Sequence, residues 1–177
     1  MNRLDLLEED ACRSLLRVPT GTLDCKTVLI TGASGIVGSH LLFGLLHCQR
    51  ELRLKLDVVA VVQRGVPDFL QPLEEHGHVR FLTGNMAESE FVAMLPAADV
   101  LVHAATYGQP GMFLQVTLTT LKLNTTATFA LIEKLRPGGH FLFISSSEVY
   151  SGLSEAPFSE DEIGTTNTNH PRASYIE

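Results

Sequence analysis

The amino-acid sequence predicts an α/β fold built on a doubly wound parallel sheet, and three observations support it. From Thr27 onward, short apolar runs alternate with polar or glycine-rich turns and with longer stretches of helical periodicity. The short runs are apolar at successive positions, as expected of strands that helices cover on both faces. A glycine-rich segment at residues 31–38 directly follows the first run, where the ligand crevice of such a fold begins.

The predicted strands and helices make up one globular domain. A length of 177 residues with 45% apolar composition suffices for one well-filled core and excludes a disordered chain. The predicted strands are residues 27–31, 57–62, 79–82, 100–103 and 140–145. The predicted helices are residues 36–48, 89–95 and 112–135, with Pro137, Gly138 and Gly139 as the last stop signal.

Residues 1–25 are predicted to form a helical extension that precedes the main domain of residues 26–177. Leucines recur in it at roughly helical spacing before Pro19 and Gly21 end the pattern: Leu4, Leu6, Leu7, Leu15 and Leu16. We expect this amphipathic helix to dock on the core or on a second subunit. At the other end, residues 150–172 are polar throughout and predict a long loop beside the site.

The charge, the cysteine content and the hydropathy of the chain limit the partners and the cellular setting that the sequence predicts. The formal net charge of -7 argues against a surface built to bind nucleic acid. The three cysteines are an odd number without metal-ligand spacing, which favours a reducing, cytoplasmic setting. The first segment lacks the apolar stretch of an export signal, and residues 28–46 are too polar for a membrane span. His76 and His78 lack a carboxylate or cysteine partner, so no metal site is predicted.

The strongest functional signal is the TGASGIVG segment at residues 31–38. Between a strand and a helix, such glycines permit a tight turn and let a diphosphate approach the backbone amides at the helix N-terminus. The candidate dinucleotide-binding residues in this segment are Gly32, Ser34, Gly35, Ile36, Val37 and Gly38. The alternative interpretation is a glycine-rich turn that binds no ligand.

Further motifs follow the glycine-rich segment in a fixed order. They are DVLVHAA at residues 99–105, LKLN at residues 121–124, FISSSEVY at residues 143–150 and PRASY at residues 171–175. With the GxxGxxG spacing, they resemble the extended branch of the short-chain dehydrogenase/reductase superfamily, the NAD-dependent epimerase/dehydratase family, from residue 26 to the last residue. The resemblance implies a Rossmann fold and the cofactor-binding portion of an epimerase, dehydratase or decarboxylase that acts on a nucleotide sugar.

The resemblance also implies which residues contact the cofactor, NAD or NADP. Beyond the glycine-rich segment, these candidates are Gln63, Arg64, Asn85, Met86, His103, Ala104, Ala105 and Asn124. Gln63 and Arg64 stand where the family usually has an acidic residue for the adenosine ribose. Without that carboxylate a 2′-phosphate is not rejected, and Arg64 would pair with it. Equally, Gln63 would hydrogen-bond the ribose of NAD while Arg64 stacks on adenine. Asn85 replaces the family's aspartate beside adenine and keeps an acceptor oxygen.

By the same resemblance, Tyr175 is the general base on a sugar hydroxyl, and Ser146 hydrogen-bonds the same oxygen. A tyrosine with a pKa of about 10 needs a nearby cation at neutral pH. The family supplies a lysine four residues after this tyrosine, and the sequence ends at Glu177. We therefore expect a chain truncated before the C-terminal substrate lobe and inactive by itself, which in its full-length form is a homodimer.

Glu148 follows the serine by two positions and would supply the further acid or base that dehydration and related chemistry need. The Ser147-Glu148 pair resembles uronate decarboxylases and mannose dehydratases, whereas simple epimerases usually lack this glutamate. Alternatively, Glu148 only orients the following loop. Arg172 would meet a uronate carboxylate or a diphosphate; alternatively it is a surface arginine. Tyr107 and Gln109 would line a sugar pocket, or are loop residues without such a role.

A second function class stays open at this point. The chain would then be a non-catalytic module that binds NAD(P) or scaffolds a partner, because dinucleotide binding needs only the glycine-rich turn and the adenosine contacts. A third alternative is an atypical reductase without a sugar substrate, which would not need Glu148.

Overall fold

The computed structural model describes residues 3–15, 21–75, 79–154, 157–165 and 169. The strands are β1 (Thr27–Thr31), β2 (Asp57–Val62), β3 (Arg80–Thr83), β4 (Ala98–His103) and β5 (Leu135–Phe143). The helices are α1 (Arg3–Leu15), α2 (Ile36–Glu51), α3 (Gln71–Glu75), α4 (Ser89–Met94), α5 (Pro110–Gln115), α6 (Thr117–Asn124) and α7 (Thr126–Ile132). A short 3-10 turn, Ser147–Tyr150, follows the last strand.

The five strands form one parallel sheet in the order β3-β2-β1-β4-β5. From the central strand β1 the chain continues to one side through β2 and β3, and then crosses over to β4 and β5 on the other side. This arrangement confirms the predicted doubly wound Rossmann sheet. The crossover places a crevice between the carboxyl ends of β1 and β4, where ligands bind in open α/β sheets.

Alternate residues of the central strands enter two separate cores. In β1, Val28 and Ile30 join the core that contains α1 and α2, whereas Leu29 joins the core that contains α4, α6 and α7. The five residues 58–62 of β2 alternate between the same cores and are all buried. Continuous apolar runs are therefore required in these strands, because water reaches neither face.

Helix α1 packs on α2 and completes the first core. Leu7 and Ala11 are buried in that core. Polar contacts surround them: Asp10 Oδ2 lies 3.2 Å from His40 Nε2, Glu8 Oε1 lies 3.4 Å from Arg50 Nη1, and the Arg3 guanidinium lies 3.7 Å from the Phe69 ring centroid. The helix thus docks on the main domain within one chain, while the boundary at residue 25 stays a prediction.

The single helix predicted over residues 112–135 is wrong, because this stretch forms three short helices. The chain leaves helical geometry at Val116, with ψ 46°, and at Thr125, with ψ -81°. Threonine hydroxyls accompany both breaks: Thr117 Oγ1 donates to the Phe113 carbonyl at 3.2 Å, and Thr125 Oγ1 donates to the Leu121 carbonyl at 2.7 Å. Such side-chain bonds compete with the helical backbone and bend it.

Strand β5 begins five residues before its predicted start and ends two residues early. Ala98 pairs with Leu135, whereas Val100 pairs with His140, so residues 136–139 bulge out of the ladder. Gly138 has φ 77°, and a Cβ on Gly139 would lie 2.9 Å from the Asp99 carbonyl oxygen. The glycines predicted as a helix stop therefore build this bulge instead.

An ion pair holds the bulge against the neighbouring strands. Asp99 Oδ2 accepts from the Thr27 backbone N–H at 2.8 Å and from Arg136 Nη1 at 2.7 Å. The hydrogen bond from the Thr27 backbone has the largest effect on the Asp99 carboxyl, and together with Arg136 it holds the pKa of that carboxyl below its ordinary value. The amino ends of β1, β4 and β5 are thereby tied together at the edge opposite to the crevice.

Smaller differences concern β3, which starts one residue late, and α3, which the sequence did not predict. His76 and His78 lie outside the described residues, as does Leu16. Among the described helices, none combines the length and the apolar composition that a bilayer crossing needs.

Removing the Leu7 side chain tests whether α1 belongs to the core. Leu7 is 2% exposed, so Leu7→Ala should lower the free energy of unfolding, measured by urea denaturation, by about 2–5 kcal/mol. The neighbouring Leu6 is 41% exposed, and Leu6→Ala should cost under about 1 kcal/mol. Equal effects of the two substitutions would contradict the packing of α1 described above.

Candidate functional site

Two adjoining clefts open at the carboxyl ends of the strands. The β2-side cleft, with a volume of about 230 Å³, contains eight predicted cofactor residues: Gly32, Ser34, Gly35, Gln63, Asn85, Met86, Ala104 and Ala105. The β5-side cleft, of about 630 Å³, contains Ile36, Val37, Gly38, Asn124, Ser146 and Glu148, and shares Gly32, Gly35 and Ala104 with the first. The sheet topology therefore brings most of the predicted residues together.

The glycine-rich segment forms a backbone cradle between the clefts. Gly32 has φ 70°, and a Cβ there would lie 2.5 Å from the Ala104 carbonyl oxygen. A Cβ on Gly38 would collide with the Gly32 carbonyl oxygen. Gly35 caps α2 with extended geometry, and no side chain of a described residue caps the first amides of this 16-residue helix. Open amides and a positive helix end favour an anionic group at this place.

His103 lies beneath the cradle and does not line either cleft. Its ring is 2% exposed, and its Nε2 donates to the Leu123 carbonyl oxygen at 2.9 Å, since that oxygen only accepts. Its Nδ1, 2.6 Å from Thr31 Oγ1, accepts from the hydroxyl. Burial lowers the pKa of His103, and the bond to Leu123 opposes this shift. A neutral histidine thus joins β1, β4 and α6.

Two buried polar atoms at the clefts have no hydrogen-bond partner among the described residues. They are Thr106 Oγ1 and Asn124 Oδ1, and both residues line the β5-side cleft. Buried oxygens without partners are costly in a folded protein. Together with the glycine cradle, they fit a polar ligand such as a dinucleotide that lies across both clefts. Thr106 is not among the residues predicted from the sequence, although its place directly after the HAA turn was a usable signal.

The outer part of the β2-side cleft is formed by the ends of β2 and β3. Asn85 Oδ1 accepts from the Ala87 backbone N–H at 3.0 Å, and its Nδ2 donates to Glu88 Oε1 at 3.1 Å. Met86 beside it is 5% exposed. Tyr107 lines this cleft, whereas Gln109 lines the β5-side cleft. Of these two candidates for the sugar pocket, Gln109 therefore shares a cleft with Ser146, and Tyr107 does not.

Ser146 and Glu148 occupy the far wall of the β5-side cleft. Ser146 caps the 3-10 turn Ser147–Tyr150, because its Oγ accepts from the Glu148 backbone N–H at 3.2 Å. The serine hydroxyl keeps its proton for donation to another oxygen. The loop behind the turn is held by the Gly164 N–H, which donates to the Val149 carbonyl oxygen at 2.7 Å.

Like His103, the predicted cofactor residue Arg64 does not line either cleft. It is exposed in the turn after β2, next to Gln63. Tyr175 and Arg172 lie outside the described residues. Within the described part of the chain, no group of three or more histidine, cysteine, aspartate or glutamate side chains could hold a metal ion.

Comparisons with known proteins agree with the architecture. The model of the NAD dependent epimerase/dehydratase family matches residues 28–177. UDP-glucuronic acid decarboxylase 1 of Danio rerio is 30% identical over 155 residues, which cover 87% of this chain and 35% of that protein. dTDP-D-glucose 4,6-dehydratase of Mus musculus is 26% identical over 165 residues, 88% of this chain and 44% of that protein. The chain thus spans well under half the length of these relatives.

Solved structures share the fold. DesIV, a dTDP-glucose 4,6-dehydratase from Streptomyces venezuelae with NAD and TYD bound, superposes with a TM-score of 0.67 at 22% identity. The match covers 84% of this chain and 48% of DesIV. A UDP-N-acetylglucosamine 4-epimerase from Methanobrevibacter ruminantium M1 gives a TM-score of 0.65 at 19% identity, over 86% of this chain and 47% of that one.

The pH dependence of stability tests the neutral state of His103. Because its pKa in the folded protein lies below the ordinary 6.5, its contribution to stability is complete above pH 6.5 and is lost as pH falls toward the folded pKa. His103→Gln should cost about 1–3 kcal/mol at pH 7.5, and the difference from wild type should shrink toward pH 5.

Urea denaturation at several pH values measures this difference, with His140→Gln as control because His140 is exposed on β5. A cost of His103→Gln that grows toward pH 5 would show that the ring is charged in the folded protein.

Proposed function

Because the chain belongs to the NAD dependent epimerase/dehydratase family, we propose that its clefts bind NAD or NADP for an enzyme that acts on a nucleotide sugar. The observation that carries the proposal is the glycine cradle at the crossover of the sheet. Gly32 and Gly38 leave no room for a Cβ there, and the N-terminus of α2 is open. This combination suits a diphosphate, which needs close backbone approach and a positive helix end.

The dinucleotide would extend across both clefts. Gln63, Asn85 and Met86 would contact the adenosine half in the β2-side cleft, which they line. Asn124 would contact the nicotinamide half in the β5-side cleft, where its buried oxygen lacks a partner among the described residues. His103 would act by positioning rather than by contact, since it holds Leu123 and the end of β1 in place.

The catalytic roles follow from the β5-side cleft. When bound, the nicotinamide supplies reversible oxidation of a sugar carbon. Ser146 would donate a hydrogen bond to the reacting sugar oxygen while keeping its own proton, because one lone pair of its Oγ is engaged by the Glu148 N–H. Tyr175 would remove the proton from that sugar hydroxyl, a role that rests on the PRASY motif alone.

Glu148 points the proposal toward decarboxylation or dehydration rather than simple epimerisation. Both reactions need an acid or base beyond the tyrosine, and Glu148 lies beside Ser146 in the same cleft. Two relatives are named for such reactions, on UDP-glucuronic acid and on dTDP-glucose. These nucleotide sugars are the first substrates to test, and Arg172 is the proposed partner of a uronate carboxylate.

Gly35→Asp tests the diphosphate site at a position where the backbone accepts a side chain. Gly35 has φ -73°, and its Cβ would lie 3.2 Å from the Gly32 carbonyl oxygen, so an aspartate at this helix cap requires a shift of a few tenths of an ångström. Its charge would repel the diphosphate, and we expect dinucleotide affinity, measured by calorimetry, to fall by at least about 100-fold.

Gly21→Asp is the matched control, because it adds the same charge in open space outside both clefts. It should leave the affinity within about twofold of wild type. Retained binding by a folded Gly35→Asp protein would place the diphosphate elsewhere.

Turnover separates an enzyme from a binding module. Tyr175→Phe removes the proposed base. In a longer form of the protein that includes a lysine four residues after Tyr175, it should lower kcat, measured by chromatography of the sugar product, by at least about 100-fold. Dinucleotide affinity should stay within about twofold, because the substitution leaves the cradle intact. Tyr150→Phe is the control, since it keeps the ring that stacks on Phe158 at 5.3 Å.

Glu148→Gln completes this test and should lower the same kcat by about 100-fold. An unchanged rate would favour a reductase without a sugar substrate. Dinucleotide binding with no turnover of either nucleotide sugar, in a longer form of the protein that includes a lysine four residues after Tyr175, would replace the enzymatic proposal with the non-catalytic module.

A further inference from the structure

Helix α1 contacts α2 through two side-chain pairs that lie near opposite ends of α2. Glu8 Oε1 lies 3.4 Å from Arg50 Nη1, next to the last residue of α2. Asp10 Oδ2 lies 3.2 Å from His40 Nε2, one turn after the first residue of α2. Of the two pairs, Asp10 and His40 are therefore the one at the end of α2 that faces the crevice. The family model matches residues 28–177, so α1 precedes the matched part of the chain.

His40 connects α1 to the backbone of α2. Its Nδ1 lies 2.8 Å from the Ile36 carbonyl oxygen and donates to it, because a carbonyl oxygen only accepts. A carboxylate also only accepts, so the ring bonds to both Ile36 and Asp10 when each ring nitrogen carries a proton. The Ser39 hydroxyl donates to the same carbonyl oxygen at 3.1 Å. Two side-chain donors thus converge on the first carbonyl of α2.

The Ile36 carbonyl shares its peptide group with the Val37 N–H, which belongs to the open amides of the glycine cradle. The Ser39 N–H donates to the Gly35 carbonyl oxygen at 2.9 Å, and among the described residues no bond engages the three N–H groups that precede it in α2. A hydrogen bond to a carbonyl polarises its peptide group and strengthens the donor at the other end. The His40 ring therefore fixes the plane of this peptide and makes the Val37 N–H a better donor to an anion.

We propose that α1 positions the anion-binding end of α2 through Asp10 and His40, so that docking of α1 and binding of a dinucleotide strengthen each other. Neither side chain lines a cleft, so both are positioning residues. The inference rests on the proposed function, because it assumes that the open amides hold the diphosphate. Coupling of this kind is reciprocal: the factor by which docked α1 raises dinucleotide affinity is the factor by which bound dinucleotide stabilises the docked helix.

Calorimetric titration of the 177-residue chain with NAD+ and with NADP+ tests the coupling. Asp10→Asn removes the charge that orients the His40 ring, and it should lower the affinity for the tighter-binding dinucleotide by about three- to tenfold. His40→Ala removes the donor to the Ile36 carbonyl and should lower the affinity at least as much. Because Asp10 acts through His40, Asp10→Asn should change the affinity by less than about 1.5-fold in the His40→Ala background.

Glu8→Gln is the matched control, since it removes the same charge from the same helix and weakens the pair with Arg50 at the other end of α2. It should leave dinucleotide affinity within about 1.5-fold of wild type. Both pairs are partly exposed, so Glu8→Gln and Asp10→Asn should cause similar small losses of stability in urea denaturation. A general weakening of α1 docking would lower stability and affinity together in both variants.

Hydrogen exchange of the wild-type chain measures the reciprocal effect. A saturating dinucleotide should slow exchange of the α1 amides by about three- to tenfold, because undocking of α1 then costs more free energy. The slowing should be lost in Asp10→Asn and kept in Glu8→Gln.

The outcomes separate the coupling from the function on which it rests. Equal affinities of Asp10→Asn and Glu8→Gln, additive losses in the double variant of Asp10 and His40, or unchanged exchange of α1 on binding would each overturn the coupling and leave the diphosphate site intact. A folded wild-type chain that binds neither dinucleotide would overturn both proposals. Loss of affinity in Asp10→Asn that is absent in the His40→Ala background supports the positioning role.

Discussion

The close approach of Gly32 to Ala104 is the constraint on which the rest of the site depends. The ends of β1 and β4 meet there, and a Cβ on Gly32 would lie 2.5 Å from the Ala104 carbonyl oxygen. The positive φ of Gly32 then turns the chain into α2, so that the helix N-terminus faces the crevice. One backbone contact thus fixes the positions of the anion-binding amides and of both cleft walls.

His103 connects the end of β1 to the core that contains α4, α6 and α7. Its ring joins Thr31 of β1 to the Leu123 carbonyl of α6, and its burial keeps it neutral. A charged ring at this place would need a counterion that the surrounding apolar residues do not supply. The position of α6, and with it the buried oxygen of Asn124, therefore depends on a histidine that touches neither cleft.

Elements of the fold were predicted correctly from the sequence where a single local pattern of residues determines the structure. Strands β1 and β2 were predicted to the residue, because both of their faces are buried and their composition shows it. Prediction failed between residues 110 and 139, where helical periodicity continues across the breaks at Val116 and Thr125. The threonine hydroxyl bonds at these breaks are local, but they do not interrupt the apolar periodicity. The bulge of β5 depends on Asp99, which is distant in sequence, so periodicity alone reveals neither feature.

The residues of the candidate site also divide into those that the sequence predicted and those that it did not. The glycine cradle was predictable because a diphosphate imposes backbone geometry, and geometry restricts residue type. The partnerless oxygen of Thr106 was not, since nothing in a sequence distinguishes a buried hydroxyl with a partner from one without. The sequence also did not reveal that His103 positions neighbouring elements. Its place in the HAA turn predicts contact with a ligand, whereas its ring faces inward and bonds to the Leu123 carbonyl.

The residues that line the two clefts lie on different parts of the fold. Residues of the β2-side cleft lie at strand ends or on the glycine cradle, whose positions the sheet fixes. Ser146 and Glu148 lie on a 3-10 turn whose cap is a single side-chain bond of 3.2 Å. Because this turn lies outside the sheet, the roles proposed for its residues in turnover do not depend on the glycine cradle that is proposed to hold the diphosphate. Binding and turnover in such a domain are therefore separable properties, and a measurement of one is no substitute for a measurement of the other.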